Sequence, residues 1–146
     1  MNYIRQARCE DIERIAEILV FNYRLNFYPI FQDDSFYFEE LTVSKQMANY
    51  INELESIWVY DDGVVKGFIQ IQKGEVKKLF VEPVLQGNSI GAKLLEHAID
   101  EKNACFLWAL EKKTKAIAFY QRHGFHLTND KKYEEDTTEF LVRMER

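Results

Sequence analysis

Cysteine is almost missing from this chain: Cys9 and Cys105 are the two among 146 residues. So wide a separation offers no metal-ligand spacing and no disulfide framework, which excludes a zinc ribbon or a stapled secreted scaffold. The expectation is a pair of free, buried thiols in a reducing compartment, and no bound metal. Proline is equally scarce, at two residues (Pro29 and Pro83), and glycine numbers six. That excludes collagen-like and low-complexity chains. No apolar run approaches the roughly 20 residues needed to span a bilayer. The opening Met1-Asn2-Tyr3-Ile4-Arg5 lacks the apolar core of a signal peptide, so a cytoplasmic protein with no membrane partner is expected. A surplus of positive charge is missing as well: 19 Lys and Arg face 24 Asp and Glu, a net −5. Bulk nucleic-acid binding is thereby disfavoured and cationic partners are weakly preferred.

What is present is a folding composition. Apolar residues are 47% and charged residues 29%, which suits a globular chain. At 146 residues it is read as one domain, 1–146, long enough to bury a sizeable core. Tyr3–Ala7 reads as a strand, and Ile12, Ile15, Ala16 and Leu19 mark a helix at i, i+3, i+4 and i+7. Phe21–Phe38 reads as irregular, broken by Pro29 and Asp33-Asp34, and a second helix is expected over Glu39–Leu54. Trp58–Tyr60 and Val64–Gln72 form a hairpin across Asp61-Asp62-Gly63, and Lys73-Gly74 turns into a strand over Val76–Val81. A helix over Ser89–Lys102, a strand over Cys105–Leu110, a helix around Tyr120, and strands over Phe125–Thr128 and Thr138–Met144 complete the pattern.

The most informative stretch is Val81-Glu82-Pro83-Val84-Leu85-Gln86-Gly87-Asn88-Ser89-Ile90-Gly91-Ala92-Lys93-Leu94-Leu95. An apolar strand ends at a proline, a polar turn with glycine follows, and an amphipathic helix begins at once. Such a junction aims free backbone N–H groups and the positive end of a helix dipole at one point, where a phosphate is stabilised. Two other phosphate loops fit worse. Ser89 occupies the middle place of the dinucleotide fingerprint, and Gly91-Ala92-Lys93 does not supply Gly-Lys-Ser/Thr. The pattern Val-x-Pro-x-x-Gln-Gly-x-x-x-Gly-x-x-Leu-Leu resembles the acyl-coenzyme A loop of the GCN5-related N-acetyltransferases (GNAT). Gln86 stands where arginine is commoner in that family, and Ser89 where a second glycine is usual. A second block, Lys113-Thr114-Lys115-Ala116-Ile117-Ala118-Phe119-Tyr120-Gln121-Arg122-His123-Gly124-Phe125, is similar to the family's Asn-x-x-Ala-x-x-Phe-Tyr-x-x-x-Gly-Phe, with Lys113 replacing the asparagine. Ala116, Phe119, Tyr120 and His123 share one helical face, and Gly124 stops the helix.

The resemblance covers nearly the whole chain and implies an α/β (α+β) protein with the GNAT acyl-CoA N-acyltransferase fold. That fold is a central mixed, mostly antiparallel, twisted sheet of about seven strands flanked by about four helices. It implies acetyl-CoA as cosubstrate and transfer of its acetyl group to a primary amine of a small molecule or peptide. A regulatory or partner-recognition domain of the same fold, binding acyl-CoA with weak catalysis, is the alternative, and a homodimer is possible. By the resemblance Leu79, Phe80 and Val81 bind the pantetheine, and Gln86, Gly87, Asn88, Ser89, Ile90, Gly91 and Ala92 surround the pyrophosphate. Thr114 and Phe119 also contact the cofactor.

Tyr120 takes the family's acid position; a phenol of ordinary pKa about 10 keeps its proton at neutral pH and can pass it to a departing thiolate. Glu75 matches a glutamate base of histone-type relatives, and reads equally as a solvated turn residue beside Lys73-Gly74. Thr114 also reads as the N-cap of the last helix, and His123 as a cap of its carbonyl end. His126 is a further titratable candidate, Trp108 closes an alternative base position, and Lys115 and Arg122 are candidates for the 3′-phosphate. The aromatic-rich Phe21–Phe38 segment, beside Asp33, Asp34, Glu39 and Glu40, suggests a small cationic amine as acceptor.

Overall fold

The protein is described by a computed structural model over residues 2–146. Seven strands make one sheet in the order β1-β2-β3-β4-β5-β7-β6. They are β1 (Ile4–Gln6), β2 (Ile57–Asp61), β3 (Val65–Gln72), β4 (Glu75–Val81), β5 (Phe106–Leu110), β6 (His126–Tyr133) and β7 (Phe140–Glu145). The β1–β2, β2–β3, β5–β7 and β6–β7 pairs are antiparallel. β4 pairs with β5 in parallel, in the register Glu75↔Phe106 and Val76↔Leu107. The mixed, mostly antiparallel sheet is the expected one. Lys73 and Gly74 both have positive φ, at 51° and 83°, the geometry a two-residue hairpin turn demands.

The helices are α1 (Ile12–Asn26), α2 (Tyr28–Phe31), α3 (Val43–Tyr50), α4 (Ile90–Lys102) and α5 (Thr114–Arg122). α1 buries Ile12, Ile15, Ala16, Ile18, Leu19, Val20 and Asn22. Its entry is fixed by the Asp11 carboxylate, which accepts the Arg8 N–H at 2.8 Å and the Arg5 guanidinium at 2.8 Å. The Arg5 hydrogen bonds hold the Asp11 carboxyl below the usual carboxylate range. Phe21–Phe38 is not irregular as expected: α1 continues to Asn26, α2 follows, and a π-turn covers Phe36–Glu40. Pro29 lies in the first turn of α2, where the missing N–H has no intrahelical partner to lose. α3 is shorter than the expected Glu39–Leu54, because Glu39 and Glu40 belong to the π-turn and Thr42 caps the helix by accepting the Lys45 N–H at 3.3 Å.

The chain forms two compact units, one of residues up to Gln70 with Lys78–Leu94, the other of Ile71–Lys77 with Leu95–Arg146. The first is built on Ile15, Ile18, Leu19, Ile57, Val59 and Phe68, all buried. In the second, Val76, Leu95, Ala98, Leu107, Phe125 and Met144 are buried. Cys9 and Cys105 are exposed, correcting the expectation of buried thiols. Cys9 sits in the turn entering α1 and Cys105 just before β5. Among the described residues no helix is long and apolar enough to cross a membrane.

Candidate functional site

The β4–α4 junction is anchored from behind by side chains of α1. Arg14 donates to the Val65 carbonyl at 2.7 Å and to the Glu82 carboxylate at 3.0 Å, while the Glu82 N–H donates to the Lys66 carbonyl at 2.8 Å. Asn22 is buried at 1% exposure. Its amide donates to the Val81 carbonyl at 2.9 Å and to the Ile18 carbonyl at 2.8 Å, and its oxygen accepts the Gln86 amide at 3.1 Å. Gln86 therefore positions the loop through α1. Asn22 was missed in the sequence, although its place three, four and seven residues after Leu19, Ile18 and Ile15 puts a polar group on the buried helix face. Asn22→Leu strands the Gln86 amide and one carbonyl, and the expected loss of stability in urea unfolding is about 1–3 kcal/mol.

After the 3₁₀ turn Pro83–Leu85, the chain reverses at Gly87 (φ +94°) and Ser89 (φ +66°) and enters α4. A Cβ on Gly87 would meet nothing within 4 Å, so its backbone angle, not space, demands glycine there. Among the described residues, the N–H groups of Gly87, Asn88, Ser89, Ile90, Gly91 and Ala92 have no protein partner; Lys93 makes the first helical bond, to the Ser89 carbonyl at 3.0 Å. That row of donors at the positive end of a 13-residue helix is an anion cradle. The helix start rests on β3 at Gly67, where a Cβ would lie 3.0 Å from the Phe80 oxygen, 3.2 Å from Leu94 Cδ1 and 3.3 Å from Ile90 Cγ2. Gly67 is a second positioning residue that sequence reading missed.

Ser89 holds a left-handed conformation that costs a non-glycine residue about 1–2 kcal/mol. Glycine there relieves the strain and gives back about 0.5–1 kcal/mol in chain entropy. Ser89→Gly is therefore expected to raise the melting temperature by about 2–4 °C; no rise in a calorimetric scan contradicts the strain.

Leu79, Phe80 and Val81 belong to the first unit, and Glu75 and the α5 candidates to the second. Glu75 opens β4 beside Phe106 of β5, and with Gln72, Lys73 and Lys77 lines an open concavity. α5 begins at Thr114, and its N-cap is Lys113, which makes no side-chain capping bond; Thr114 is thus the first helical residue, not the cap. Burial pushes the Lys113 ammonium below the ordinary lysine range. The Tyr120 ring lies edge-on to Phe119 at 5.3 Å and to Phe125 at 6.0 Å. Burial alone pushes its phenol up to about 12. His123 caps the carbonyl end of α5, its N–H donating to the Tyr120 carbonyl at 3.0 Å. His126 opens β6, exposed. Trp108 lies under the Lys132 ammonium at 4.3 Å, and Arg122 stands 5.9 Å from the Phe119 ring.

The aromatic segment is largely spoken for. Tyr37 is buried, and Tyr23, Phe27, Tyr28 and Phe31 pack on the first core. The Asp34 carboxylate accepts the Tyr28 hydroxyl, and Asp33 accepts the Phe36 N–H at 3.1 Å. The cation nearest Tyr23 is the protein's own Lys78. These contacts account for five of the eight rings; Phe21, Phe36 and Phe38 remain exposed.

Residues 53–127, more than half the chain, match the family model of the acetyltransferase (GNAT) domain. The chain is similar to the peptidyl-lysine N-acetyltransferase YiaC of Escherichia coli (strain K12), 32% identical over 74 residues, which are 49% of this chain and 51% of that protein. It is 44% identical to an IAA acetyltransferase of Azospirillum brasilense over 57 residues, 36% of this chain and 37% of that one. The chain thus spans about half or less of these relatives' length. Among solved structures it resembles the PaiA N-acetyltransferase of Thermoplasma acidophilum in complex with coenzyme A, with a TM-score of 0.70, 21% identity and 98% of each chain covered. An N-acetyltransferase of Staphylococcus aureus Mu50 superposes with a TM-score of 0.74 at 14% identity, over 97% of this chain and 98% of that one. Strand order, loop geometry and the family match agree: the chain belongs to the GNAT acetyltransferase family.

Proposed function

We propose that the protein is a single-domain N-acetyltransferase, residues 1–146, which moves the acetyl group of acetyl-CoA directly to a primary amine. The observation that carries this reading is the row of N–H groups from Gly87 to Ala92 at the start of α4, without partners among the described residues. It suits a pyrophosphate in charge and in donor number. Leu79, Phe80 and Val81, beyond the β4 positions paired with β5, are the proposed pantetheine strand, and Thr114 and Phe119 of α5 the further cofactor contacts.

Chemistry follows from what the amine needs. It arrives unprotonated, its nitrogen attacks the thioester carbonyl, the C–N bond forms, the C–S bond breaks, and the attacking nitrogen sheds its surplus proton, which restores the Tyr120 phenol. Tyr120 is the proposed acid, giving its proton to the departing thiolate; with its pKa pushed up to about 12 it is fully protonated at neutral pH. Glu75 is the proposed base for the ammonium, on the β4 face shared with Leu79 and Val81 by strand alternation. A relative named for peptidyl-lysine acetylation supports an amine nitrogen as acceptor, and our reading is a small molecule.

The test is incubation with acetyl-CoA and a broad amine panel, following free thiol and product mass. Amine-dependent thiol release with an acetylated product is expected. Coenzyme A binding without acetylation of any amine would instead favour a regulatory acyl-CoA-binding domain.

A further inference from the structure

We infer that Lys78, Tyr23 and Tyr50 form a carboxylate-binding site for the acceptor, so that the amine this enzyme acetylates also carries a carboxylate. The inference rests on the acetyltransferase reading above and adds the acceptor's class. Lys78 immediately precedes Leu79, the first residue of the proposed pantetheine strand; strand alternation puts its side chain on the β4 face of Val76 and Phe80, across the strand from Glu75, Leu79 and Val81, with its Cα within about 10 Å of that of Val81. Its ammonium donates to the Tyr23 hydroxyl at 2.8 Å and stands 5.5 Å from the centroid of that ring. It also hydrogen-bonds the Tyr50 phenol at the end of α3.

The direction of these bonds matters. An ammonium has no lone pair, so both phenol oxygens accept from it, and each O–H proton is turned away from Lys78 toward another acceptor. The cluster therefore offers one positive charge flanked by two neutral O–H donors. Tyr23, Phe27 and Phe80 pack edge-on at 5.1–6.5 Å and wall it with hydrocarbon, where a charge is poorly screened. Burial pushes the Tyr50 pKa up and so keeps its proton available for donation. Glu53, the acid that acts on Tyr50, accepts the Gln70 amide at 3.2 Å. An ammonium and two hydroxyls around one half-buried point are what a carboxylate's lone pairs require. A second ammonium, as in a diamine or polyamine, would meet like charge at Lys78. The acceptor class that fits is an amino acid or a similar amino carboxylate.

The test uses the coenzyme A complex of the full chain and reads binding separately from turnover. N-acetyl amino acids spanning the side-chain classes, each paired with its uncharged C-terminal amide, are titrated by calorimetry. At least one acid is expected to bind about 10–100-fold tighter than its amide, the worth of a charge-assisted contact. Lys78→Met should bring that ratio to within about twofold, Lys78→Arg should retain part of it, and Tyr50→Phe, which keeps the ring, should lower it several-fold. The inference is overturned if amides bind as well as acids throughout, if no acid binds, or if the preference survives in Lys78→Met or Tyr50→Phe. Failure of the acetyltransferase reading shows elsewhere, as absent thiol release from acetyl-CoA with every amine.

Discussion

Replacing Tyr120 with phenylalanine lowers kcat by about 10–100-fold and leaves coenzyme A affinity nearly unchanged. The substitution keeps the ring that packs on Phe119 and Phe125 and removes only the proton source. An unaltered kcat, with chemistry shown to be rate-limiting, contradicts the assignment. The same phenol predicts an alkaline signature. Its native pKa of about 12 exceeds the ordinary value of 10, so folding favours the protonated form. That contribution to stability is complete below pH 10 and is lost as pH rises from 10 to 12, where the unfolded chain releases the proton first. Wild-type stability should therefore fall more steeply than that of Tyr120→Phe across this range. Parallel decline in denaturant titrations would contradict it.

Gly91→Pro weakens coenzyme A binding by about 10–100-fold, the loss expected for one hydrogen bond to a charged group. Gly91 is the second residue of α4, and its N–H has no protein partner among the described residues. Proline is tolerated in the first turn of a helix, so the fold survives while one donor is lost and the ring crowds the cradle. Calorimetry on a variant shown to be folded by its melting transition makes the check. Unchanged affinity would move the phosphate site away from this loop.

The architecture was largely legible in the sequence, because its signals are local and periodic. The buried stripe of α1 repeats at helical spacing, Asp61-Asp62-Gly63 and Lys73-Gly74 mark hairpins, and glycine with a following amphipathic helix marks the β4–α4 junction. Local signals misled where one residue serves two purposes. Pro29 reads as a breaker and in fact sits in the first turn of α2; Thr114 has the chemistry of a cap but is the first residue of α5.

What stayed hidden depends on residues distant in sequence. Asn22 acquires meaning only from Val81 and Gln86, Gly67 from Phe80 and Leu94, and Lys78 from Tyr23 and Tyr50. No spacing along one segment encodes these meetings. The left-handed backbone of Ser89, by contrast, gives a physical reason for the glycine usual at that place: the turn demands positive φ, and serine holds it under strain.

The central claim is that the backbone from Gly87 to Ala92 holds the pyrophosphate of acetyl-CoA. An amide NMR titration with coenzyme A tests it most directly, since each donor reports its own hydrogen bond. The largest saturable shifts are expected at Gly87, Asn88, Ser89, Ile90, Gly91 and Ala92. Largest shifts elsewhere in the chain, or no saturation at millimolar coenzyme A, would contradict it.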